Sequence, residues 1–480
     1  MAVSFDNSLR FVGIDVGSTT TSLLVVRGRL LRNCVTGRNE WGDIEPVFRP
    51  EPVFTPFVDQ RLDLPEIARQ IDAWLAAAAL EPAAVAAGGA LVTGLAARAD
   101  NARGIKEIIR GRFQQAVVAT ADDPCFESWL AFMGNCLSLS RAHPERPVIN
   151  LDIGGGTTNL AWGQAGAVRR CGCYFIGARH VQVVPGTYVV RHLSEFGHAL
   201  FQRLQIPTQA GYELNPADLQ RVLQQQVDSL THIVRGEPWS DRELWSRLCQ
   251  AEFHRPEDAG QAEPIITLSG GVGELAYRLV QGRALPTTTA FGDLGIDLAR
   301  AIVDSPELGR DLARYVPAGL GRATVQGLTL HSTEIAGSTL FLPHPELLPQ
   351  VDLPILGTLY ETISDTDLHS LLELAGKGSA GAALRVQLGP ITAASVKHFG
   401  ERLAQGLQSL PWSHPLVLLT AGNIGKTLGQ YATRWGRLQV PLIVVDEVPD
   451  RPAQFATVGE LRNGLVPVAF HGLGTSWESD

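Results

Sequence analysis

Two rhythms of apolar and polar positions run along the chain. Short, nearly uninterrupted apolar runs end in glycine turns, and between them apolar residues recur every three or four positions. Runs of the first kind predict strands at Phe11–Gly17, Ser22–Arg27, Pro147–Ile153, Asn159–Gly163, Pro264–Leu268, Pro415–Thr420, Pro441–Asp446 and Val466–Phe470. The second rhythm, carried by Leu64, Ile67, Ala68, Ile71, Trp74 and Leu75, predicts an amphipathic helix over about residues 63–80. Leu219, Val222, Leu223, Val227, Leu230, Ile233 and Val234 predict a longer one. Shorter helices are expected at Asn101–Phe113, around Glu127–Ala131, from Glu274 to about Gln281, and from Lys426. Pro46, Pro50, Pro52 and Pro56 sit between aromatics, so residues 41–60 are expected to be extended and irregular. Strands alternating with helices mean α/β layers.

Length adds scale: 480 residues amount to about three domains or two large lobes. With 45% apolar and 19% charged residues the chain can bury substantial cores. Forty Lys+Arg against 49 Asp+Glu leave a net charge of −9, which argues against a general nucleic-acid binder. The lysines are Lys106, Lys377, Lys397 and Lys426, so any phosphate must be held by backbone amides, arginines or a metal. Cys34, Cys125, Cys136, Cys171, Cys173 and Cys249 form no Cys-x-x-Cys pair, and a reduced interior is the expectation. Cys171-Gly172-Cys173 lacks the second ligand pair that a metal clip needs. Asp15 and a Ser/Thr cluster break Phe11–Val26, and no run of about 20 apolar residues exists. A soluble, cytoplasmic protein is therefore expected, without membrane contact.

Candidate chemistry gathers at three turns. Ile14-Asp15-Val16-Gly17-Ser18-Thr19-Thr20 puts a carboxylate at a strand end beside a hydroxyl-rich glycine turn. Leu151-Asp152-Ile153-Gly154-Gly155-Gly156-Thr157-Thr158 repeats the arrangement. Glycine turns aim several N–H groups at an anion. An aspartate beside each turn would repel a bare phosphate, so the pair makes sense around a hydrated divalent cation. The third turn, Ser269-Gly270-Gly271-Val272-Gly273, suits close packing against a flat ring or ribose at a helix N-terminus. Two look-alikes compete. Gly271–Ala276 matches the GxGxxA dinucleotide fingerprint but has no clear βαβ partner. Gly422–Thr427 imitates a P-loop without its four-residue spacer, since Thr420 stands where glycine is required.

In order and spacing the three turns resemble the actin/Hsp70/sugar-kinase ATPase superfamily. That resemblance implies an actin/Hsp70-like fold of two RNase-H-like lobes closing on ATP and Mg²⁺, here with an additional C-terminal α/β region. The expected division is residues 1–140, 141–310 and 311–480. A closer resemblance rests on Phe11–Thr20, Phe48-Arg49-Pro50 with Phe54-Thr55-Pro56, Thr93-Gly94 with Asn101-Ala102, Asn150–Asn159, Phe175–Arg179, and Val458-Gly459 to Pro467-Val468. These are similar to EutA, the ethanolamine ammonia-lyase reactivating factor family. The resemblance implies an ATP-using chaperone that frees damaged cobalamin from inactivated ethanolamine ammonia-lyase so that adenosylcobalamin can rebind. It leaves open a homo-oligomer and association with a bacterial microcompartment. Departures occur at Ala178, where a second glycine is expected, at Phe132–Cys136, where a Gly/Ser-rich stretch is expected, and at Asn159, where many superfamily members carry an acid.

On this reading Asp15 and Asp152 hold Mg²⁺. Gly17, Ser18, Thr19 and Thr20, with Gly154, Gly155, Gly156, Thr157 and Thr158, grip the phosphates. Gly270, Gly271 and Gly273 line the adenosine; Glu274 either bonds it or sits favourably in the first turn of its helix. Asp152 and Glu127 are the candidates for orienting the attacking water, although pattern alone favours a solvated face for Glu127. Two other functions stay open: a small-molecule kinase of the same superfamily, and a non-enzymatic actin-like scaffold.

Overall fold

The computed structural model describes residues 8–32, 39–58, 61–81, 84–113, 117–119, 124–237, 242–256, 262–317, 319–331, 333–336, 339–377, 381–451, 453–461 and 464–473. Cys34 lies outside these residues; of the described cysteines, Cys136, Cys173 and Cys249 are free thiols. Among the described residues no helix is long and apolar enough to cross a membrane.

The first lobe is a sheet of β1 (Ser8–Val16), β2 (Thr20–Arg32), β3 (Asn39–Phe48), β4 (Val85–Val92) and β5 (Val117–Ala119), in the order β3-β2-β1-β4-β5. The first three strands are antiparallel, and β4 and β5 continue parallel to β1. Pro46 is accommodated in β3 because that strand lies at the edge of its sheet. Helix α1 (Leu64–Ala77) starts where Asp63 accepts from the Glu66 N–H, with Pro65 in its first turn. It buries Ile67, Ile71, Trp74 and Leu75 against the sheet, the face its period predicts. Helices α2 (Gly94–Ala97) and α3 (Arg103–Arg112) follow β4.

Helix α4 (Pro124–Asn135) leads to the second lobe, whose strands are β6 (Val148–Ile153), β7 (Thr158–Gln164), β8 (Ala167–Tyr174), β9 (Cys249–Ala251) and β10 (Ile265–Ser269). Their order is β9-β8-β7-β6-β10, with the β6–β7–β8 meander antiparallel and β10 parallel to β6. Every residue of β6 and β10 is buried, as expected of strands covered on both faces. Helices α5 (Glu195–Arg203), α6 (Pro216–Arg235), α7 (Gly270–Val280) and α8 (Gly295–Val303) pack around this sheet. Helix α7 begins four residues before the predicted Glu274, because its glycines themselves form the first turn. Both lobes thus place a hairpin beside parallel strands in one order, the two-lobe RNase-H-like arrangement of the actin/Hsp70 fold.

Helices cross between the lobes. Phe132 and Cys136 at the end of α4 pack with Val148, Ala161 and Cys171 of the second lobe. Helix α9 (Ala323–His331) returns to the first, where Val325 meets Phe11, Leu24 and Val26. The two helices touch backbone to backbone: a Cβ on Gly134 would lie 2.0 Å from the Ala323 carbonyl oxygen, and one on Gly327 would lie 1.9 Å from that of Leu130. Only glycine permits that approach.

The C-terminal region is a third sheet of β11 (Thr333–Ala336), β12 (Gln350–Tyr360), β13 (Ala382–Gln387), β14 (Leu416–Thr420), β15 (Leu442–Val445), β16 (Ala453–Val458) and β17 (Val466–Leu473). Strands β12 to β15 run parallel and are covered by helices Asp365–Gly376 and Ala393–Gln408. The P-loop-like Gly422–Thr427 joins β14 to a helix, and the buried Asp446 carboxylate accepts there from the Gly425 N–H at 3.3 Å and the Thr339 N–H at 3.1 Å. An acid already occupies the place a phosphate would need.

Candidate functional site

Two turns are built alike. Residues 17–20 and 154–157 connect strands whose last paired residues are Val16 with Thr21 and Ile153 with Thr158. The first glycine of each donates to the carbonyl three residues on: Gly17 to Thr20 at 3.0 Å, Gly154 to Thr157 at 2.9 Å. Asp15 faces Ser22 across its hairpin, and Asp152 faces Asn159 at the same register. One side chain braces a carbonyl in each turn. The Thr55 hydroxyl donates to Gly17 at 2.8 Å, and His180 Nε2 bonds Gly156 at 2.8 Å. A carbonyl only accepts, so that nitrogen carries the proton, and the Ser194 hydroxyl donates to Nδ1 at 2.8 Å. The turns also meet: a Cβ on Gly155 would lie 2.2 Å from Thr19 Oγ1.

Between them lies a cavity of about 390 Å³. Asp15, Gly17, Ser18, Thr19 and Thr20 line it from the first lobe, Asp152, Gly154, Gly155 and Thr157 from the second, and Gly270, Gly271 and Glu274 from the start of α7. The glycines of the dinucleotide-like stretch therefore serve the same cavity as the aspartate turns. Three predicted residues turn away from it. Gly156 gives its carbonyl to His180, the buried Thr158 hydroxyl donates to Ile176 O at 2.8 Å, and Gly273 packs on Leu268, where a Cβ would come within 3.1 Å of the backbone. These shape the turns from behind.

Three carboxylates face one another here. Burial, and next the Asp152 carboxylate, push Asp15 up to about 7. Its Oδ1 is buried without a hydrogen-bond partner among the described residues. Burial raises Asp152 too, although the Ser269 hydroxyl donates to its Oδ1 at 2.7 Å and the Thr324 hydroxyl to its Oδ2 at 3.0 Å. Glu127 does not sit on the solvated face that pattern favours; it is buried and lines the cavity. Burial, then Asp152 and Asp15, hold it well above the usual carboxylate range, against hydrogen bonds from Asn159 and Thr93. Asn159 keeps a buried, unpartnered Oδ1 of its own.

This donor set fits a hard cation. Repulsion among the three acids and the orphaned Asp15 oxygen would both be relieved by a divalent charge between them. Among the described residues no three His, Cys, Asp or Glu groups are arranged to ligate a metal directly.

Several lining residues were not among those predicted: Thr93 at the end of β4, Thr324 on α9, and Arg278, Phe291 and Asp293 beyond β10. Ser269, one residue before Gly270, is a partner of Asp152 by the same route, its position at a strand end being the one local signal. Thr324 comes from a stretch assigned to the C-terminal region, and only the helix crossing brings it to the site.

The chain matches the family described as "Ethanolamine utilisation protein EutA" over residues 7–474. It is 32% identical to the "Ethanolamine ammonia-lyase reactivase EutA" of Escherichia coli (strain K12), covering 96% of this chain and 97% of that relative. It is 30% identical to the protein of the same name from Salmonella typhimurium, over the same shares of both chains. Among solved structures, an Aquifex aeolicus PPX-GPPA enzyme is 16% identical and aligns with 57% of this chain and 72% of its own, at a TM-score of 0.34.

Proposed function

The chain belongs to the EutA family, and from that premise we propose that it reactivates ethanolamine ammonia-lyase by an ATP-driven cycle in which damaged cobalamin is released and adenosylcobalamin rebinds. The observation that carries the ATP-driven part is the pair of like-built turns, which close on one cavity with the unpartnered Asp15 oxygen between them. Turn amides and the hydroxyls of Ser18, Thr19, Thr20 and Thr157 are the donors for phosphate oxygens. Asp15 and Asp152 are the residues that would hold hydrated Mg²⁺, and the metal would supply the counter-charge that the scarce lysines do not. Glu127, held well above the usual carboxylate range by burial and bonded by Asn159 and Thr93, orients the attacking water. Gly270, Gly271 and Glu274 line the adenosine end. Residues 1–140 and 141–310 are the lobes in this reading, joined by α4 and by α9 from residues 311–480, and the third sheet of that last stretch is the region left for contact with the lyase.

The test is restoration of activity. Lyase loaded with inactive cobalamin, supplied with this protein, ATP, Mg²⁺ and free adenosylcobalamin, should recover turnover; no recovery would overturn the reading. Asp15→Ala and Asp152→Ala should abolish both recovery and Mg²⁺-dependent ATP binding in folded protein. Glu127→Gln should keep ATP binding and lower hydrolysis by about 100-fold. A small-molecule kinase would instead release ADP faster with one acceptor from a metabolite panel, and a flat response sets that aside.

A further inference from the structure

Apart from the helix crossing and the meeting turns, the lobes are also joined on the surface. Arg98 caps the C-terminal end of α2, the short helix that starts at Gly94 against the Ser18 hydroxyl. Its guanidinium reaches the second lobe, where it lies over the rings of Phe175 at 5.1 Å and Phe196 at 5.2 Å. Those rings stack on each other at 4.3 Å, and the guanidinium, nearly equidistant from both centroids, packs against the pair. Arg98 also pairs with Glu195, the residue before Phe196.

Both ends of this bridge lead to the phosphate turns. On the first lobe, three residues separate Arg98 from Gly94, which lies against the Ser18 hydroxyl. On the second, Phe196 sets its ring against His180 edge-on at 5.2 Å, and His180 holds the Gly156 carbonyl. From Phe175 the chain runs directly to Ala178 and Arg179, whose N–H groups donate to Gly154 at 3.2 Å and Gly155 at 2.7 Å. Separating the lobes at Arg98 therefore pulls on both turns at once.

We propose that Arg98 is a positioning residue that latches the lobes together and sets how fast a bound nucleotide leaves. The proposal rests on the nucleotide reading of the cavity. The Arg98 side chain is 44% exposed, so its removal should leave the fold intact. Lysine would keep the pairing with Glu195 but not the broad planar guanidinium that touches both rings.

Stopped-flow release of N-methylanthraniloyl-ADP, with Mg²⁺ and the full chain, tests it. Arg98→Ala should release the probe about two- to fivefold faster than the parent, with unchanged association. Phe196→Leu should reproduce much of that change, Arg98→Lys should stay closer to Ala than to Arg, and Glu195→Gln should move release least. Hydrogen exchange of the ligand-free chain gives a second readout, with faster exchange expected in Arg98→Ala at residues 94–98 and 175–180. Unchanged release together with unchanged exchange would overturn the latch. Parent protein that binds no ADP, while Arg98→Ala still loosens both segments, would sink the nucleotide reading and leave the latch standing.

Discussion

The two aspartate turns share a backbone and differ in everything around it. Register, connection length and glycine hydrogen bond are the same. Yet Asp152 has a hydroxyl on each oxygen, from Ser269 and Thr324, while Asp15 keeps a buried oxygen with none. The braces differ as well: a threonine hydroxyl, which does not titrate near neutrality, holds the first turn, and a histidine holds the second. One fold solution used twice thus yields one carboxylate bonded on both oxygens and one with a buried oxygen that has no partner among the described residues.

The largest test of that difference is pH. Asp15 binds its proton more tightly in the folded chain, about 7 against 3.8. Its contribution to stability is complete below 3.8 and is lost as pH rises through about 7. The loss amounts to about 4 kcal/mol by linkage. Asp152 and Glu127 are displaced in the same direction, so the ligand-free chain loses stability on going from acid to neutral pH through all three. In Asp15→Asn the change in unfolding free energy between pH 4 and 7, read from urea curves, should shrink by most of that amount. Asn at 152 should do less, because the hydroxyls already offset part of its burial. Equal changes in the two variants would erase the distinction between the turns.

His180 has the opposite sign. Burial, with Arg98 nearby adding to it, pushes its pKa down to about 4, against the hydrogen bond to Gly156. Its contribution is complete above 6.5 and is lost as pH falls through about 4, which is about 3 kcal/mol. His180→Gln can still donate to Gly156 and does not titrate. It should therefore resist acid better than the parent by about that margin, as read from urea midpoints at pH 4. Thr55→Val, at the brace of the first turn, should lower stability by about 1 kcal/mol, equally at every pH.

The hairpins were legible in the sequence because their strands are nearly all apolar and their turns announce themselves by Asp-x-Gly. Even the register follows, since Ser22 and Asn159 each stand seven positions after their aspartate. Glu127 was misread for a reason that can be named. Its helix, Pro-Cys-Phe-Glu-Ser-Trp-Leu-Ala-Phe-Met, has no polar stripe for a solvated glutamate to join. A helix apolar all round is covered all round, here by both lobes, and its one acid must face a cavity. His180 carried no such signal, because a brace on a turn carbonyl needs no spacing rule. Thr324 could not be found locally at all: it is placed by the Gly134–Gly327 crossing, a contact between stretches nearly 200 residues apart.

Thr324 also provides the smallest and most selective test of the comparison. Replacing it by valine keeps the shape of the side chain on α9 and removes only the donor to Asp152 Oδ2. That carboxylate would then have one free oxygen, as Asp15 has, and would lose the contact that orients it from the far side of the helix crossing. Outer partners of this kind are worth about tenfold to 100-fold in affinity where a ligand group depends on their aim. Because Ser269 still holds the other oxygen, the lower end applies, and Thr324→Val should weaken Mg²⁺-dependent ATP binding by about tenfold in calorimetric titration. Binding without the metal should hardly change, since the turn amides are untouched. If the metal-dependent affinity were instead preserved, fixing Asp152 would have no part in its role, and the two turns would be equal partners around the ion.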